Sequence, residues 1–478
     1  MYNLCFMARR PFDDLSPGIY KQIRKEQDPE ANAIFITCDC KESEYIRKKF
    51  DANDKQVTVV ELSAFMNEHW DEFTLEKLSY YEKKYDASPM WKYIYSDRFL
   101  IYRNYDYCVH TAAGLFAFWE HVFTTYKVDF YYDEVIATLF TYVAYLVGKK
   151  VGTHYYTLML MRSVGMDLTH HYILNDPFEM IYDMPEDYAT REYTPEQLKA
   201  ADEFLAGFEE KHSKPAFMQF SGRKPKWKMS FFTLPFLWIR QRYFNPHAMD
   251  KGSYIYYKAY ERSMEQIKFY FRYKASRKYY NKADLSKKFV YFPLHLQPEA
   301  STIVCAQKYE KQLYFLDNLA KSLPADTVIY CKEHYSFLGS RDNSFYRALK
   351  EYPNIVLIDP WEDSFQLIEH CECVATLTGT AGQEAMMLRR PVIMGGDILY
   401  ENAPGVMRID DIFGNYESAM ANWKKPEREE IVKYLAAYMS CARPGNTYAM
   451  SDARLTDDNC RLLAKSMYDY FKEQKPIM

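Results

Sequence analysis

Three observations predict an α/β protein with two Rossmann-like domains, a basic helical insertion between them and helices at the C-terminal end. Strand-like and helix-like segments alternate in residues 1–215 and again in residues 289–425. The stretch between these two blocks is basic and rich in aromatic residues. Residues 376–396 then have the order strand, glycine turn, helix and strand. With 478 residues, the chain is long enough to form two domains with full cores.

The first block predicts an N-terminal Rossmann-like domain over residues 1–215. Its short apolar runs predict strands at Leu4–Ala8, Ala33–Thr37, Val57–Leu62, Phe130–Tyr132 and Thr153–Leu160. Its longer periodic runs predict helices at Ser16–Lys25, Glu42–Lys49, Leu115–Tyr126 and Val135–Val147. The short run Tyr107–His110 continues the alternation.

The second block predicts a C-terminal Rossmann-like domain over residues 289–425. We expect its strands at Phe289–Phe292, Thr327–Cys331, Ile355–Ile358 and Val374–Leu377. We expect its helices at Tyr309–Leu323, Ser344–Glu351 and Ser364–Glu369. Residues 426–478 predict helices that pack across both domains.

The intervening residues 216–288 predict a basic, aromatic, helical insertion or linker. Within 221–288, 17 Lys and Arg stand against 4 Asp and Glu, which leaves a formal charge of +13. Its simplest interpretation is a solvated insertion whose aromatic rings pack on the core. A second interpretation is attachment to an anionic membrane surface, because basic and aromatic residues together suit the interface. Nucleic-acid binding ranks third, since no binding motif accompanies the charge.

Composition narrows the class of protein. A net charge of −4 and a pI near 6.3 argue against a nucleic-acid binder. The ten cysteines include no Cys-x-x-Cys pair, which indicates free thiols in a reducing compartment. The sequence contains no export signal and no apolar window of roughly 20 residues. We therefore expect a cytoplasmic protein, with peripheral attachment at the inner face of the cell membrane as its only membrane contact.

The glycine turn Thr378-Gly379-Thr380-Ala381-Gly382 suits an anion site. Its glycines allow a sharp turn and a close backbone approach, and a helix expected to begin near Gln383 would present unpaired N–H groups. Thr378 and Thr380 add hydroxyl donors, and the carboxylate of Glu384 could accept from ribose hydroxyls. An ordinary α/β connection is the alternative for such a turn taken alone.

Two further polar loops follow predicted strands of the second block. His295 and Glu299 stand in a stiff loop between two prolines, directly after Phe289–Phe292. Lys332 and His334 follow Thr327–Cys331 and could neutralise a nucleotide phosphate. Because loops at the carboxyl ends of parallel strands gather at one edge, we expect these loops and the glycine turn to lie close together.

The three loops together resemble a known family. The sequences FPLHLQPEAST, VIYCKEHYSF and TLTGTAGQEAMMLRRPVI are similar to those of the capsule polysaccharide biosynthesis proteins. That group includes Kdo-type glycosyltransferases with a GT-B arrangement of two Rossmann-like domains. The resemblance is clearest over residues 289–400, and it departs from the family where Tyr335 replaces the proline that often follows the histidine.

The resemblance implies a GT-B-like fold with a cleft between the domains, and a transfer reaction from a nucleotide-sugar to a saccharide or lipid-linked saccharide acceptor. By this likeness His334 and Lys332 hold the nucleotide phosphate, Thr378 to Gly382 cradle it, and Glu384 takes the ribose or base. His295 and Glu299 then face the donor. We count His295 among the candidate catalytic residues.

A transferase also needs a group that activates the acceptor hydroxyl, or a nucleophile if configuration is retained. The N-terminal candidates are Asp13 and Asp14, after the first strand, and Asp133 and Glu134, after Phe130–Tyr132. Each of them could instead cap a helix. The chain has no Asp-x-Asp triplet and no His-Glu-x-x-His motif, so we expect no protein-bound metal and no other cofactor.

Two other functions remain open from the sequence. One is a sugar-nucleotide epimerase of similar two-domain build, and the other is a non-catalytic module that binds a polysaccharide or its lipid carrier. The sequence does not specify the donor base and sugar, the stereochemistry, the acceptor, the oligomeric state or which carboxylate is the base.

Overall fold

Two α/β sheets with helices on both faces form the part of the chain that the computed structural model describes, residues 1–101, 103–161, 168–211, 225–226, 232–244 and 259–475. The strands are β1 (Asn3–Met7), β2 (Asn32–Thr37), β3 (Val57–Glu61), β4 (Phe130–Tyr132), β5 (His154–Leu160), β6 (His170–Leu174), β7 (Lys288–Pro293), β8 (Thr327–Lys332), β9 (Ile355–Ile358), β10 (Cys373–Thr376), β11 (Val392–Met394), β12 (Val406–Arg408) and β13 (Arg443–Pro444). The helices are α1 (Phe12–Glu26), α2 (Cys40–Arg47), α3 (Leu62–Glu68), α4 (Leu75–Lys84), α5 (Met90–Ile94), α6 (Tyr105–Thr125), α7 (Leu139–Val151), α8 (Pro195–Lys211), α9 (Leu234–Phe244), α10 (Ala259–Ser276), α11 (Ala300–Ile303), α12 (Gln312–Ala320), α13 (Asn343–Leu349), α14 (Ser364–His370), α15 (Thr380–Met387), α16 (Tyr416–Asn422), α17 (Arg428–Ser440) and α18 (Asp457–Gln474).

The first sheet has the strand order β3-β2-β1-β4-β5-β6-β13. Its strands from β3 to β5 are parallel, whereas β6 and β13 are antiparallel to their neighbours. The chain moves outward from β1 to β3 and then returns to place β4 on the other side of β1. The loops after β1 and β4 therefore border the crevice at which ligands bind in open α/β sheets.

The second sheet repeats this topology with all six strands parallel, in the order β9-β8-β7-β10-β11-β12. Numbered from its own first strand, this is the Rossmann order 3-2-1-4-5-6. The corresponding crevice lies at the carboxyl ends of β7 and β10. The two sheets confirm the predicted GT-B-like fold class.

The central strands are buried on both faces, which explains their continuous apolar sequences. In β1, Leu4 and Phe6 pack with α1 and α18, while Cys5 and Met7 pack with α6 and α7 on the other face. This separation follows from the two-residue period of a strand. In the second sheet the alternate residues of β7 likewise divide between two cores.

Several elements differ from the sequence-based expectation. Helix α1 begins at Phe12, so that Asp13 and Asp14 lie in its first turn and not in a loop. The run Tyr107–His110 lies inside α6, because tertiary packing continues the helix through its aromatic and β-branched residues. His171 is a buried residue of β6, and its ring is bonded to Gly445 and Ser466.

The C-terminal helices contact different sheets. Helix α17 packs in the core of the second sheet together with α8, whereas α18 packs on the first sheet against α1. Much of the basic segment 221–288 lies outside the described residues, which within it are 225–226, 232–244 and 259–288. Among the helices of the described ranges, none is both long enough and apolar enough to cross a bilayer.

Candidate functional site

The crevice of the second sheet brings the His295 loop and the glycine turn together. His295 follows β7, and its Nε2 accepts the backbone N–H of Thr378, 3.1 Å away, at the end of β10. The hydroxyl of Thr376 lies 3.2 Å from the same nitrogen. Two of the three predicted loops therefore meet directly, as expected for neighbouring strand ends.

His295 has one ring nitrogen that no described residue bonds. Burial, together with the charge of the nearby Arg341, lowers the pKa of His295 to about 3, so the imidazole is neutral at physiological pH. Because Nε2 accepts from Thr378, the proton is on Nδ1. Nδ1 is buried and lacks a hydrogen-bond partner within the described part of the chain. It is therefore a donor that a bound ligand could use.

The glycine turn is built so that backbone and hydroxyl groups approach closely. Gly379 donates its N–H to the hydroxyl of Thr376 at 3.0 Å, and Thr378 Oγ1 donates to the carbonyl of Ser301 at 2.6 Å. A Cβ on Gly379 would lie 2.9 Å from Thr376 Oγ1 and 3.2 Å from His295 Nε2. The site therefore has no room for a side chain at Gly379.

Helix α15 begins at Thr380, three residues before the expected start near Gln383. Gly382 is thus a helix residue, and a Cβ there would lie 2.6 Å from the hydroxyl of Tyr400. Glu384 therefore lies in the second turn of the helix, not in the first turn as expected. Its side chain is buried. The N–H groups of Thr380 and Ala381, at the start of α15, have no intrahelical acceptor, whereas that of Gly382 donates to the carbonyl of Gly379 at 3.0 Å.

Arg341, which the sequence did not indicate, connects two of the loops. Its Nε donates to Glu333 at 2.9 Å, and its Nη2 donates to the carbonyl of His295 at 2.7 Å. Gln312 holds the same backbone, because it accepts the N–H of His295 at 2.8 Å and donates to its carbonyl at 3.0 Å. Both side chains of the Arg341–Glu333 ion pair are buried. A buried arginine in a loop has no signature in a single sequence.

The remaining predicted residues of this domain lie around the same crevice. Lys332 ends β8, is buried and donates to Ser364 Oγ at 2.6 Å. His334, two residues later, stacks on Tyr335 with 4.9 Å between the ring centroids. Burial lowers the pKa of His334. Glu299 precedes α11 and accepts from Ser301 Oγ at 3.2 Å.

In the first domain, Asp133 and Glu134 lie beside Arg9. Arg9 follows β1 and forms an ion pair with Glu134, which follows β4, so the pair spans the crevice of that sheet. Asp133 is fully buried, accepts the Tyr131 hydroxyl at 2.5 Å, and burial raises its pKa to about 7 although Arg9 opposes the shift. The sequence signal for Arg9, its place directly after a central strand, was available and was missed.

Asp13 and Asp14 do not join this cluster. Asp13 pairs with the exposed Arg10 at 3.5 Å. Asp14 pairs with Lys49 and accepts from the Tyr45 hydroxyl, both beyond its own helix. Burial opposes the shift, but these two bonds lower the pKa of Asp14. Neither aspartate caps α1 with its side chain.

The two domains are in contact beside the His295 loop. Helix α11 follows this loop, and its Ile303 is buried in the core of the first domain. Gln307 donates to Ser96 Oγ of the first domain at 2.6 Å. A cavity of about 480 Å³ opens next to this contact, where Ile101 faces Gln297 and Pro298. The described residues contain no group of three or more His, Cys, Asp or Glu that could hold a metal ion.

Comparison with solved structures gives distant similarities. The chain is similar to the β-Kdo 2,7 transferase of Thermosulfurimonas dismutans KpsC, with 12% identity, a TM-score of 0.37, and 97% of this chain and 99% of that chain covered. It is also similar to the β-Kdo 2,4 transferase of the same KpsC, with 15% identity, a TM-score of 0.36, and 69% of this chain and 88% of that chain covered. A third similarity is to the UDP-GlcNAc 2-epimerase of Methanocaldococcus jannaschii, with 13% identity, a TM-score of 0.25, and 92% of this chain and 99% of that chain covered. TM-scores this low carry no conclusion about activity.

Sequence comparison is more specific. A search of the curated proteins finds no match. A family model described as capsule polysaccharide biosynthesis protein matches residues 240–442, which include all three polar loops of the second domain. The resemblance noted in the sequence is thereby confirmed for residues 240–442, which match the model of the capsule polysaccharide biosynthesis protein family.

Proposed function

We propose that this protein is a glycosyltransferase that moves a sugar from a nucleotide-activated donor to a growing bacterial surface polysaccharide or to its lipid-linked primer. The observation that carries the proposal is the crevice at the ends of β7 and β10. There a buried imidazole with a free Nδ1–H stands next to a glycine turn and the start of a helix. This set of donors suits a phosphate-bearing ligand.

The donor's nucleotide would bind to the second domain. Backbone N–H groups of the turn and the His295 Nδ1–H would donate to phosphate oxygens. Lys332 would supply positive charge nearby, and His334 would hold the phosphate as a neutral hydrogen-bond donor. Neutralising the departing nucleotide in this way lowers the barrier to transfer, because charge that develops in the transition state meets fixed donors. Glu384 would accept from the ribose or base.

The first domain would supply proton transfer at the acceptor. A carboxyl group whose pKa lies near 7 can act as acid or base at physiological pH, and Asp133 meets this condition. Glu134 is held by Arg9 and remains the second candidate at the same strand end. Asp13 and Asp14 have less support, because they pair with Arg10 and Lys49 outside this cluster.

In this proposal the enzyme uses no protein-bound metal and works in the cytoplasm, where nucleotide-sugars are made. Its acceptor is a saccharide or a lipid-linked saccharide, and the basic segment 221–288 faces an anionic membrane surface. The donor base and sugar are not part of the proposal.

The proposal is tested by incubating the protein with CMP-, UDP- and GDP-sugars, with and without a saccharide acceptor, in the presence and absence of EDTA. We expect glycosylated acceptor and free nucleotide only when the acceptor is present, and an EDTA-insensitive rate. Conversion of a donor into its epimer without acceptor would assign epimerase activity instead. If no donor is consumed under any condition, the proposal fails.

A further inference from the structure

Helix α9 exposes a stripe of large apolar side chains. Phe236, Ile239 and Tyr243 have exposed fractions of 73%, 44% and 69%. Spacings of three and four residues place them on the same side of the helix. Trp238, on another side, is 50% exposed. Contiguous exposed apolar surface of this kind usually marks a contact with a partner or a membrane.

Positive charge accompanies the stripe. Arg240 is exposed next to it on α9, and Lys274, Arg277 and Lys278 are exposed at the end of α10, against which α9 packs. Within the described ranges, none of these four forms an ion pair with a carboxylate.

Two other cations of α10, Lys268 and Arg272, are neutralised by carboxylates. Lys268 pairs with Glu265 at 2.5 Å, and Arg272 pairs with Asp342 at 3.3 Å. Of the described cations named on α9 and α10, those without a carboxylate partner among the described residues are therefore at the end of α10 and beside the apolar stripe. Aromatic and aliphatic side chains combined with unpaired cations match the chemistry of an anionic bilayer, with its apolar interior and phosphate headgroups.

Helix α10 connects this surface to the candidate nucleotide site. Arg272 donates to the carbonyl of Ser340 at 3.3 Å. The carbonyl oxygen of Phe269 lies 2.0 Å from where a Cβ on Gly339 would be, and Gly339 has a φ of +81°, so the contact requires glycine there. Arg341, two residues after Gly339 in the same loop, holds the backbone of His295. A surface bound to α10 is thus fixed relative to the His295 loop.

We propose that α9 is an interfacial helix whose stripe of Phe236, Ile239 and Tyr243 inserts into the headgroup region of an anionic membrane, with Arg240 and the end of α10 on the lipid phosphates. This inference deepens the proposed function. Only the role of the membrane contact rests on that function, because docking would bring the donor site close to an acceptor carried by lipid. The membrane contact itself is a separate physical claim.

The test is co-sedimentation of the full chain with phosphatidylcholine vesicles that contain or lack phosphatidylglycerol. We expect binding to the anionic vesicles that weakens with added salt, and little binding to the neutral ones. Phe236→Ser/Tyr243→Ser should bind anionic vesicles about tenfold more weakly or worse, because the inserted apolar area is lost. The matched control is Tyr80→Ser/Tyr314→Ser, which removes two tyrosines that are each 52% exposed elsewhere. The control should bind as the wild type does.

Nucleotide-dependent stabilisation is measured on the same preparations. Loss of vesicle binding with unchanged nucleotide stabilisation is the expected result for the α9 variant. Wild-type affinity of that variant for anionic vesicles, or no binding by the wild type at low salt, would overturn the membrane contact and leave the nucleotide proposal intact. Vesicle binding without any nucleotide effect would overturn the proposed function alone. A wild-type dimer that the α9 substitutions convert to a monomer without vesicle binding would reassign the stripe to self-association.

Discussion

The guanidinium of Arg341 fixes the geometry of the candidate nucleotide site. It bonds to Glu333, to the carbonyl of His295 and, at 3.3 Å, to the side chain of Gln297. Glu333 also accepts from the Tyr346 hydroxyl at 2.7 Å, so this buried carboxylate has several partners. The mutual attraction of Arg341 and Glu333 contributes little net stability. The pair matters because removing either partner would leave the other as a buried, uncompensated charge.

Replacing Arg341 tests whether the buried ion pair with Glu333 stabilises the fold. Arg341→Met leaves Glu333 buried without its cation and should lower the free energy of unfolding by about 3–5 kcal/mol in urea titrations. The control is Arg461→Met, which removes an exposed pair with Asp458 at 2.8 Å and should cost less than about 1 kcal/mol. Equal effects of the two substitutions would show that the buried pair has no special role.

Asp133 gives a prediction about pH. Its pKa in the folded protein, about 7, lies above the value near 4 of an unfolded chain, so the folded state holds the extra proton between these values. Stability therefore falls as the pH rises through this range. The Tm of the wild type should drop relative to that of Asp133→Asn between pH 5 and pH 8, since the amide cannot ionise.

Asp14→Asn is the control for this experiment. The pKa of Asp14 is lowered, so this carboxyl stays ionised over the same range and its Tm difference from the wild type should be constant. A constant difference for Asp133→Asn as well would rule out the raised pKa.

Position after a strand was a better guide than residue type to which side chains lie at the two crevices. His295, Thr378 and Asp133 were expected from strand ends, and the structure places all three at the two crevices. Arg341 and Gln312 were not predicted from the sequence, because they act through tertiary contacts to the backbone of His295. Asp13 and Asp14 were equally plausible on sequence alone, since only the structure shows that they face Arg10 and Lys49.

The turn between β10 and α15 depends on close packing. Gly379→Ala would place a methyl group against Thr376 Oγ1 and His295 Nε2, at 2.9 and 3.2 Å, and move the imidazole or the turn. We expect nucleotide affinity to fall about tenfold, equivalent to roughly one hydrogen bond to a charged group. The measurement is isothermal titration with the nucleotide that binds the wild type.

Gly207→Ala is the matched control, because nothing lies within 4 Å of a Cβ there on α8. It should leave affinity unchanged and, as a helix-interior position, stabilise the fold slightly. Wild-type affinity in Gly379→Ala would show that the turn does not hold the ligand.

Strands were predicted more closely than helix starts. Phe130–Tyr132 and Ile355–Ile358 agree with the structure at both ends, because buried parallel strands have continuous apolar sequences. The start of α15 was misplaced, since Gly382 has the sequence signature of a turn although Tyr400 and Thr376 pack where its side chain would be. Strand β12 was not predicted, because three half-buried residues at a sheet edge leave no clear pattern.

The two domains are joined through α11 as well as through the chain connection. Ile303 of this helix is buried in the first domain's core, although it follows the His295 loop of the second. The sequence predicted two domains but could not reveal this contact, which joins distant segments.

Ile303→Ala should cost about 2–5 kcal/mol as a buried large-to-small change, and it should separate the unfolding of the two domains. Calorimetry should then show two transitions where the wild type shows one. A single transition at an unchanged Tm would mean that this contact does not couple the domains.

Nucleotide binding is the central claim, and a thermal-shift titration of the full chain with CMP, UDP and GDP tests it most directly. Ligand that binds only the native state raises Tm, by an amount equivalent to about 2.7 kcal/mol at a hundredfold excess over Kd. We predict that one of the three raises the Tm of the wild type, and that His334→Ala keeps the ligand-free Tm but loses most of this rise. The account is contradicted if no nucleotide shifts the wild type, or if His334→Ala shows the full shift.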